Sequence, residues 1–176
     1  MIDFTRNHFE LFGLPLRFRI DVPALRRAYR DLQREVHPDR YAGGSEHEKR
    51  LALQASARVN EAYRTLEDPV ARAEYLLQLA GIDATAETDT RLPIDFLTRQ
   101  LERREAADEA RSAHDERALA AILDDVRRES GALLADMEDV LAGDDREPAR
   151  MRVRELRFLA KLDDDLREMQ LAELDR

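Results

Sequence analysis

The chain has 176 residues, 38% of them charged and only 6% aromatic, with no tryptophan, no cysteine and a net charge of −9. This length suits one large domain or two small ones, and the charged, glycine-poor composition belongs to long solvated helices rather than to sheets. The lack of cysteine excludes disulfides, thiolate metal sites and cysteine nucleophiles, while 43% hydrophobic residues supply a core and argue against wholesale disorder.

His8 to Leu14 reads as a short helix ending at Gly13, with Pro15 beyond it. Asp21 then stands as an N-cap before Val22-Pro23, a first turn that tolerates proline. Leu25, Ala28, Tyr29, Leu32 and Val36 follow at three- and four-residue intervals, the apolar face of a helix running to about His37. Pro38 disfavours helical dihedrals at His37, so the helix stops there. Tyr41-Ala42-Gly43-Gly44-Ser45 is a breaker-rich turn, and Ser45 with Glu48 forms a capping box for the next helix. Leu51, Ala55, Val59, Ala62 and Leu66 continue that helix to Asp68-Pro69. A further helix runs from Val70 to about Ala80, with Gly81 placed to close it. His37-Pro38-Asp39 is therefore expected at the tip of a helical hairpin.

Residues 81–91 are polar and show little periodicity, which reads as a linker between domains at 1–80 and 92–176. Pro93 opens a helix carrying Ile94, Leu97 and Leu101, which becomes intensely charged through Arg117. The next helix is the most regular: Leu119, Val126, Leu133 and Val140 repeat every seven residues, with Leu123, Ser130 and Met137 as the companion row, until Gly143. Pro148 begins the last helix, striped by Leu159, Leu162, Leu166 and Met169. Three long helices with short connections predict an antiparallel three-helix bundle, and the whole chain is predicted to be all-α.

Charge divides unevenly. Residues 1–80 carry 13 Lys/Arg against 12 Asp/Glu, and residues 81–176 carry 16 against 26. Nucleic-acid binding needs a broad basic surface, so no nucleic-acid partner is expected. No run approaches the length of a membrane span and no basic-then-apolar signal opens the chain, so no membrane partner and a cytoplasmic location are expected. His8, His37, His47 and His114 are scattered without ligand spacing, so no metal and no cofactor are expected.

Arg26, Arg30 and Arg34, spaced by four and flanked by Arg27, form a basic stripe that ends on the tripeptide. Arginine suits bidentate pairing with a partner's carboxylates, Pro38 holds the turn, and Asp39 adds an anion. Together they make a docking surface with both signs of charge. His37 and Asp39 as an acid/base pair or metal site fit poorly: there is no second histidine–carboxylate cluster, no glycine-rich phosphate loop and no serine in a nucleophile context. The chain is not expected to be an enzyme.

Leu25 to Tyr41, with the tripeptide and its flanking helices, resembles a J domain, the module that stimulates ATP hydrolysis by chaperones of the 70-kilodalton heat-shock class. The whole chain resembles the HscB family of J-type co-chaperones for iron–sulfur cluster assembly. The matching segments are Phe9 to Pro15, Leu66 to Leu77, Phe96 to Glu102, and Leu156 to Leu159. The resemblance implies a chaperone-contact surface at Arg26, Tyr29, Arg30, Arg34, His37, Pro38 and Asp39. Asp31 stands where many J domains have a basic residue, and Val36 where an aromatic often precedes the histidine. It also implies that the C-terminal bundle binds the scaffold protein on which clusters are built. The corresponding patch would be Leu97, Leu101 and Phe158 with Glu102, Glu105 and Glu109, and Thr98 would replace a frequent apolar residue. All three apolar residues are expected to be exposed rather than core, since apolar patches rimmed by charge mark binding sites. Some relatives carry a cysteine-based metal module, which this cysteine-free chain is expected to lack. A general J-type chaperone for unfolded clients would need glycine/phenylalanine-rich or zinc-binding segments, and none is visible; a purely structural helical protein would make the tripeptide incidental.

Overall fold

The computed structural model describes residues 3–84 and 91–174, apart from the side chains of residues 173 and 174. Most of the segment read as a linker, residues 85–90, lies outside the described residues. Every regular element described is helical, and the chain divides into two compact units, Met1–Leu76 and Leu77–Arg176.

The N-terminal unit starts with α1 (His8–Leu11), whose N-cap Asn7 and Glu10 form a reciprocal capping box. This helix is shorter than the sequence reading, because Phe12 already leaves helical hydrogen bonding and Gly13 takes a left-handed φ of 63°. Helix α2 (Val22–Val36) is capped by the Asp21 carboxylate, which accepts from the Ala24 N–H. A 3₁₀ turn, Pro38–Tyr41, joins it to α3 (Glu46–Glu67), which begins on the Ser45–Glu48 capping box. Asp68 ends α3 and starts α4 (Pro69–Leu79), its carboxylate accepting from the Val70 and Ala71 N–H groups.

Helices α2 and α3 pack as the expected hairpin. Leu25 and Val36 of α2 meet Ala55, Val59, Ala62 and Leu66 of α3, with Phe9 and Phe12 covering the far end. Arg72 is buried but supported: its guanidinium donates to the Leu66 carbonyl at 2.6 Å and lies over the Phe18 ring at 5.0 Å. His8 is also buried, stacked on Tyr75 at 4.1 Å, while its backbone N–H donates to the Tyr75 hydroxyl.

The C-terminal unit contains α5 (Ile94–Ser112), α6 (Glu116–Ala135), α7 (Met137–Ala142) and α8 (Glu147–Leu174). Helix α6 packs on both α5 and α8, completing three long helices. The heptad helix is not continuous to Gly143, as its repeat predicted, but breaks at Asp136. Leu133 and Met137 stay buried on either side of the break, so the core does not oppose it. Asp136 itself takes φ −85° and ψ −6°, and its carboxylate lies 3.6 Å from Arg152 of α8. Ala84, in the segment read as a linker, is buried, and its carbonyl accepts from Arg154.

The charged half of α5 is less solvated than its composition suggests. Arg103 pairs with Asp125 and Glu129 of α6 and also donates to the side-chain amide oxygen (Oε1) of Gln100, a residue only 2% exposed. Arg99 reaches Glu129 at 3.2 Å. Burial opposes ionisation of Glu129, yet the bonds from Arg103 and Arg99 outweigh it and hold the carboxyl below its ordinary value. Each charge here is matched, so removing one partner leaves another stranded.

His8 generates a pH prediction for the N-terminal unit. Burial, and then repulsion from Arg58, hold its imidazole below its ordinary value, with Glu61 opposing. The unfolded chain takes up this proton near pH ~6.5 while the folded chain resists it, so stability is lost as pH falls below about 6.5. Melting at about pH 7.5 and about pH 5.5 should show a smaller acid loss in His8→Phe than in the wild type. Equal losses in the two proteins would assign the effect to another group.

Candidate functional site

The end of α2 follows directly from its sequence. His37 takes φ −58° and ψ 127°, an extended conformation of the kind a following proline imposes. Pro38 then opens the 3₁₀ turn, where its missing N–H costs no hydrogen bond. His37 Nδ1 accepts from the Asp39 N–H at 3.3 Å, which leaves Nε2 to carry the proton of the neutral ring. The Asp39 carboxylate is 3.5 Å from the same Nδ1, so a protonated ring could pair with it instead. Both side chains are open to solvent, at 54% for His37 and 90% for Asp39.

The arginine stripe is exposed along its length but is not uniformly unpaired. Arg26 donates to Glu67 of α3 at 3.1 Å, and the Tyr63 hydroxyl donates to the same oxygen at 2.6 Å. The Tyr63 bond first, then Arg26, hold the Glu67 carboxyl below its ordinary value against a burial penalty. Arg34 pairs with Asp31 at 3.4 Å, and Arg27 lies 4.0 Å from Asp21. Arg30, at the centre, makes no ion pair among the described residues. Tyr29 lies at the border of the stripe and faces inward. Its ring stacks on Tyr63 at 4.0 Å and its hydroxyl donates to Asn60, so much of it is committed to holding α2 against α3.

The second candidate surface lies on α5. Leu97 is 41% and Leu101 59% exposed, and Glu102, Glu105 and Glu109 on the same helix are all exposed. Phe158, expected to be exposed rather than core, is half-buried and meets the buried Phe96 edge-on at 5.6 Å. Ile94, which the sequence places on this helix but not in the patch, belongs with Leu97 and Leu101. It is 82% exposed, precedes Leu97 by three positions and extends the apolar stripe to the start of the helix. That spacing is visible in the sequence, but periodicity alone does not say which side of the helix is covered. Thr98 satisfies its hydroxyl locally on the Ile94 carbonyl at 2.9 Å.

Among the described residues no group of three or more His, Asp or Glu side chains is arranged to hold a metal ion, and no helix is long and apolar enough to cross a membrane.

Two family models divide the chain between them: a DnaJ domain over residues 7–75 and an HSCB C-terminal oligomerisation domain over residues 92–167. A co-chaperone protein HscB homolog from Burkholderia thailandensis is 43% identical over 162 residues, covering 92% of this chain and 93% of that protein. The chain belongs to the HscB family of co-chaperones. Its structure is similar to that of the chaperone HscB from Vibrio cholerae, with a TM-score of 0.85 and 37% identity over 96% of this chain and 99% of that one. Human co-chaperone protein HscB is similar at a TM-score of 0.84 and 31% identity, covering 94% and 83% of the two chains. This HscB-family chain is thus a J-type co-chaperone, with its His-Pro-Asp turn inside the matched DnaJ domain and Leu97, Leu101 and Phe158 inside the matched C-terminal domain. The relatives it matches bear the names of co-chaperones rather than enzymes.

Exposure separates these surfaces from the core in a urea titration. His37→Gln, Asp39→Asn, Leu97→Ala and Leu101→Ala should each shift stability by no more than about 1 kcal/mol. Phe96→Ala, by contrast, empties a fully buried ring site and should cost about 3–5 kcal/mol.

Proposed function

We propose that this chain stimulates ATP hydrolysis by a 70-kilodalton heat-shock-class chaperone through His37-Pro38-Asp39 and presents to it the scaffold protein of iron–sulfur cluster assembly. The observation that carries this reading is the exposed tripeptide, displayed where α2 gives way to its 3₁₀ turn. Arg30 and the outer faces of Arg26 and Arg34 supply cations beside it, and Tyr29 contributes from the border of the same surface. The proposed division of labour follows the sequence reading: residues 1–80 act as the J domain, 81–91 as linker, and 92–176 as the scaffold-binding domain.

The scaffold would sit on Ile94, Leu97 and Leu101, with Phe158 forming the half-buried floor and Glu102, Glu105 and Glu109 the charged rim. Three exposed aliphatic side chains along one helix face are costly in water unless a partner covers them. Holding the ATPase with one domain and its client with the other raises the effective concentration of each at the other. The chain itself needs no nucleotide, iron or cluster for this role, and the cytoplasm is its proposed location. A matched HscB C-terminal domain in place of a glycine/phenylalanine-rich or zinc-binding segment disfavours a general chaperone for unfolded clients.

Steady-state ATP hydrolysis by the cognate chaperone tests the reading directly. Scaffold and co-chaperone together should stimulate more than the product of their separate effects, and His37→Gln should remove the co-chaperone's contribution. The Leu97→Ala/Leu101→Ala double variant should lose only the scaffold-dependent part. Stimulation without any scaffold effect would leave a general J-type co-chaperone; no stimulation would reject the function altogether.

Salt separates the two contacts. Raising ionic strength shortens the Debye length from about 10 Å at 0.1 M to about 3 Å at 1 M. Binding to the chaperone, measured by titration calorimetry, should weaken more steeply with salt than binding to the scaffold. Parallel salt slopes would contradict an electrostatic stripe and an apolar patch.

A further inference from the structure

An α-helix ends with four carbonyls that have no donor within the helix. In α2 these belong to Gln33, Arg34, Glu35 and Val36. Two of them are taken by the residues that immediately follow the tripeptide. The Arg40 guanidinium donates to the Arg34 carbonyl at 3.2 Å, and the Tyr41 hydroxyl makes a longer bond of 3.4 Å to the Glu35 carbonyl. The Arg40 bond is charge-assisted and places a cation at the negative end of the helix. The chain therefore leaves α2, makes the exposed turn, and hooks back onto the last turn it left. Inside this closure the Arg40 N–H donates to the His37 carbonyl at 3.0 Å and the Ala42 N–H to that of Asp39 at 3.3 Å.

The 3₁₀ turn also packs against α3. Arg40 and Tyr41 also line an open cavity of about 370 Å³, together with Phe4, Val36, Leu51 and Ala52. Val36, directly before His37, is buried in the hairpin core. His37 and Asp39 are themselves exposed, so directed hydrogen bonds rather than burial of their side chains fix the shape of the tripeptide.

We infer that Arg40 and Tyr41 are positioning residues, a polar strap that keeps His37-Pro38-Asp39 in its docking geometry by capping the final carbonyls of α2. The inference rests on the function proposed above. The strap sets the fraction of molecules whose turn is competent to dock, so losing it weakens apparent affinity by that fraction and leaves the fully docked complex as active as before.

The test is ATPase stimulation titrated against co-chaperone concentration, paired with amide hydrogen exchange of the free chain. One net hydrogen bond corresponds to roughly a fivefold change in an equilibrium. Arg40→Met should raise the half-stimulating concentration by about fivefold or more, and Tyr41→Phe by less, with maximal stimulation retained in both. Arg40→Lys, which keeps a cationic donor, should recover most of the loss. In the free chain, the amides at positions 40 and 42 should exchange about fivefold faster in Arg40→Met than in the wild type, with helicity and melting unchanged.

Failure would be informative about which claim fails. No stimulation by the wild type overturns the proposed function and this inference with it. Stimulation by the wild type with an unshifted Arg40→Met curve overturns the strap alone. A weakened half-point with unchanged exchange at positions 40 and 42 would mean that Arg40 touches the chaperone directly, and a fall in maximal stimulation at an unchanged half-point would mean the same; both reject a positioning role. Should Arg40→Met lower the melting temperature, Tyr41→Phe, which keeps its ring in the cavity wall, decides the matter by the same two readouts.

Discussion

Pro38 denies helical dihedrals to His37 and offers no N–H of its own, and the arrangement of the N-terminal unit depends on that one restriction. Helix α2 could otherwise continue, since the residues before the proline hold a regular apolar face. By ending it, the proline exposes the carbonyls of the last turn, turns the chain toward α3, and leaves His37 and Asp39 outside the packed hairpin. The same residues that suit a helix end are the ones presented to a partner. Stability and recognition are separated because the core face, from Leu25 to Val36, lies on the side that meets α3.

The basic stripe beside the turn shows how a surface can be shaped by pairs within the chain. Arg26 is drawn to α3 by Glu67, which Tyr63 also holds, and Arg34 is matched by Asp31. These exposed pairs add little stability. Their effect is on the field: Arg30 stands as the cation with least internal competition, next to a turn that carries an anion in Asp39.

In the C-terminal unit one helix has to face two ways. Phe96, Gln100, Ala107 and Ala110 of α5 turn into the bundle, and Arg103 closes its polar seam with Asp125 and Glu129. This anchoring holds the rotation of α5, and Ile94, Leu97 and Leu101 are left on the outer side as a consequence. Their exposure is sustained by burial elsewhere on the same helix.

Much of this was legible in the residues themselves. Asp21, Ser45 with Glu48, Asp68-Pro69 and Gly81 marked helix ends correctly because caps and breakers act over three or four residues. The tripeptide's place at the end of α2 was legible for the same reason. The seven-residue repeat from Leu119 found the buried rows of α6 but missed the break at Asp136, since Leu133 and Met137 stay buried on either side and the packing period runs on across it. Which of the neighbouring residues Ile94, Phe96, Leu97 and Leu101 is core, and how far Phe158 is covered, was decided only in the tertiary structure. Periodicity defines a face to within about one residue, and burial depends on what the other helices place against it.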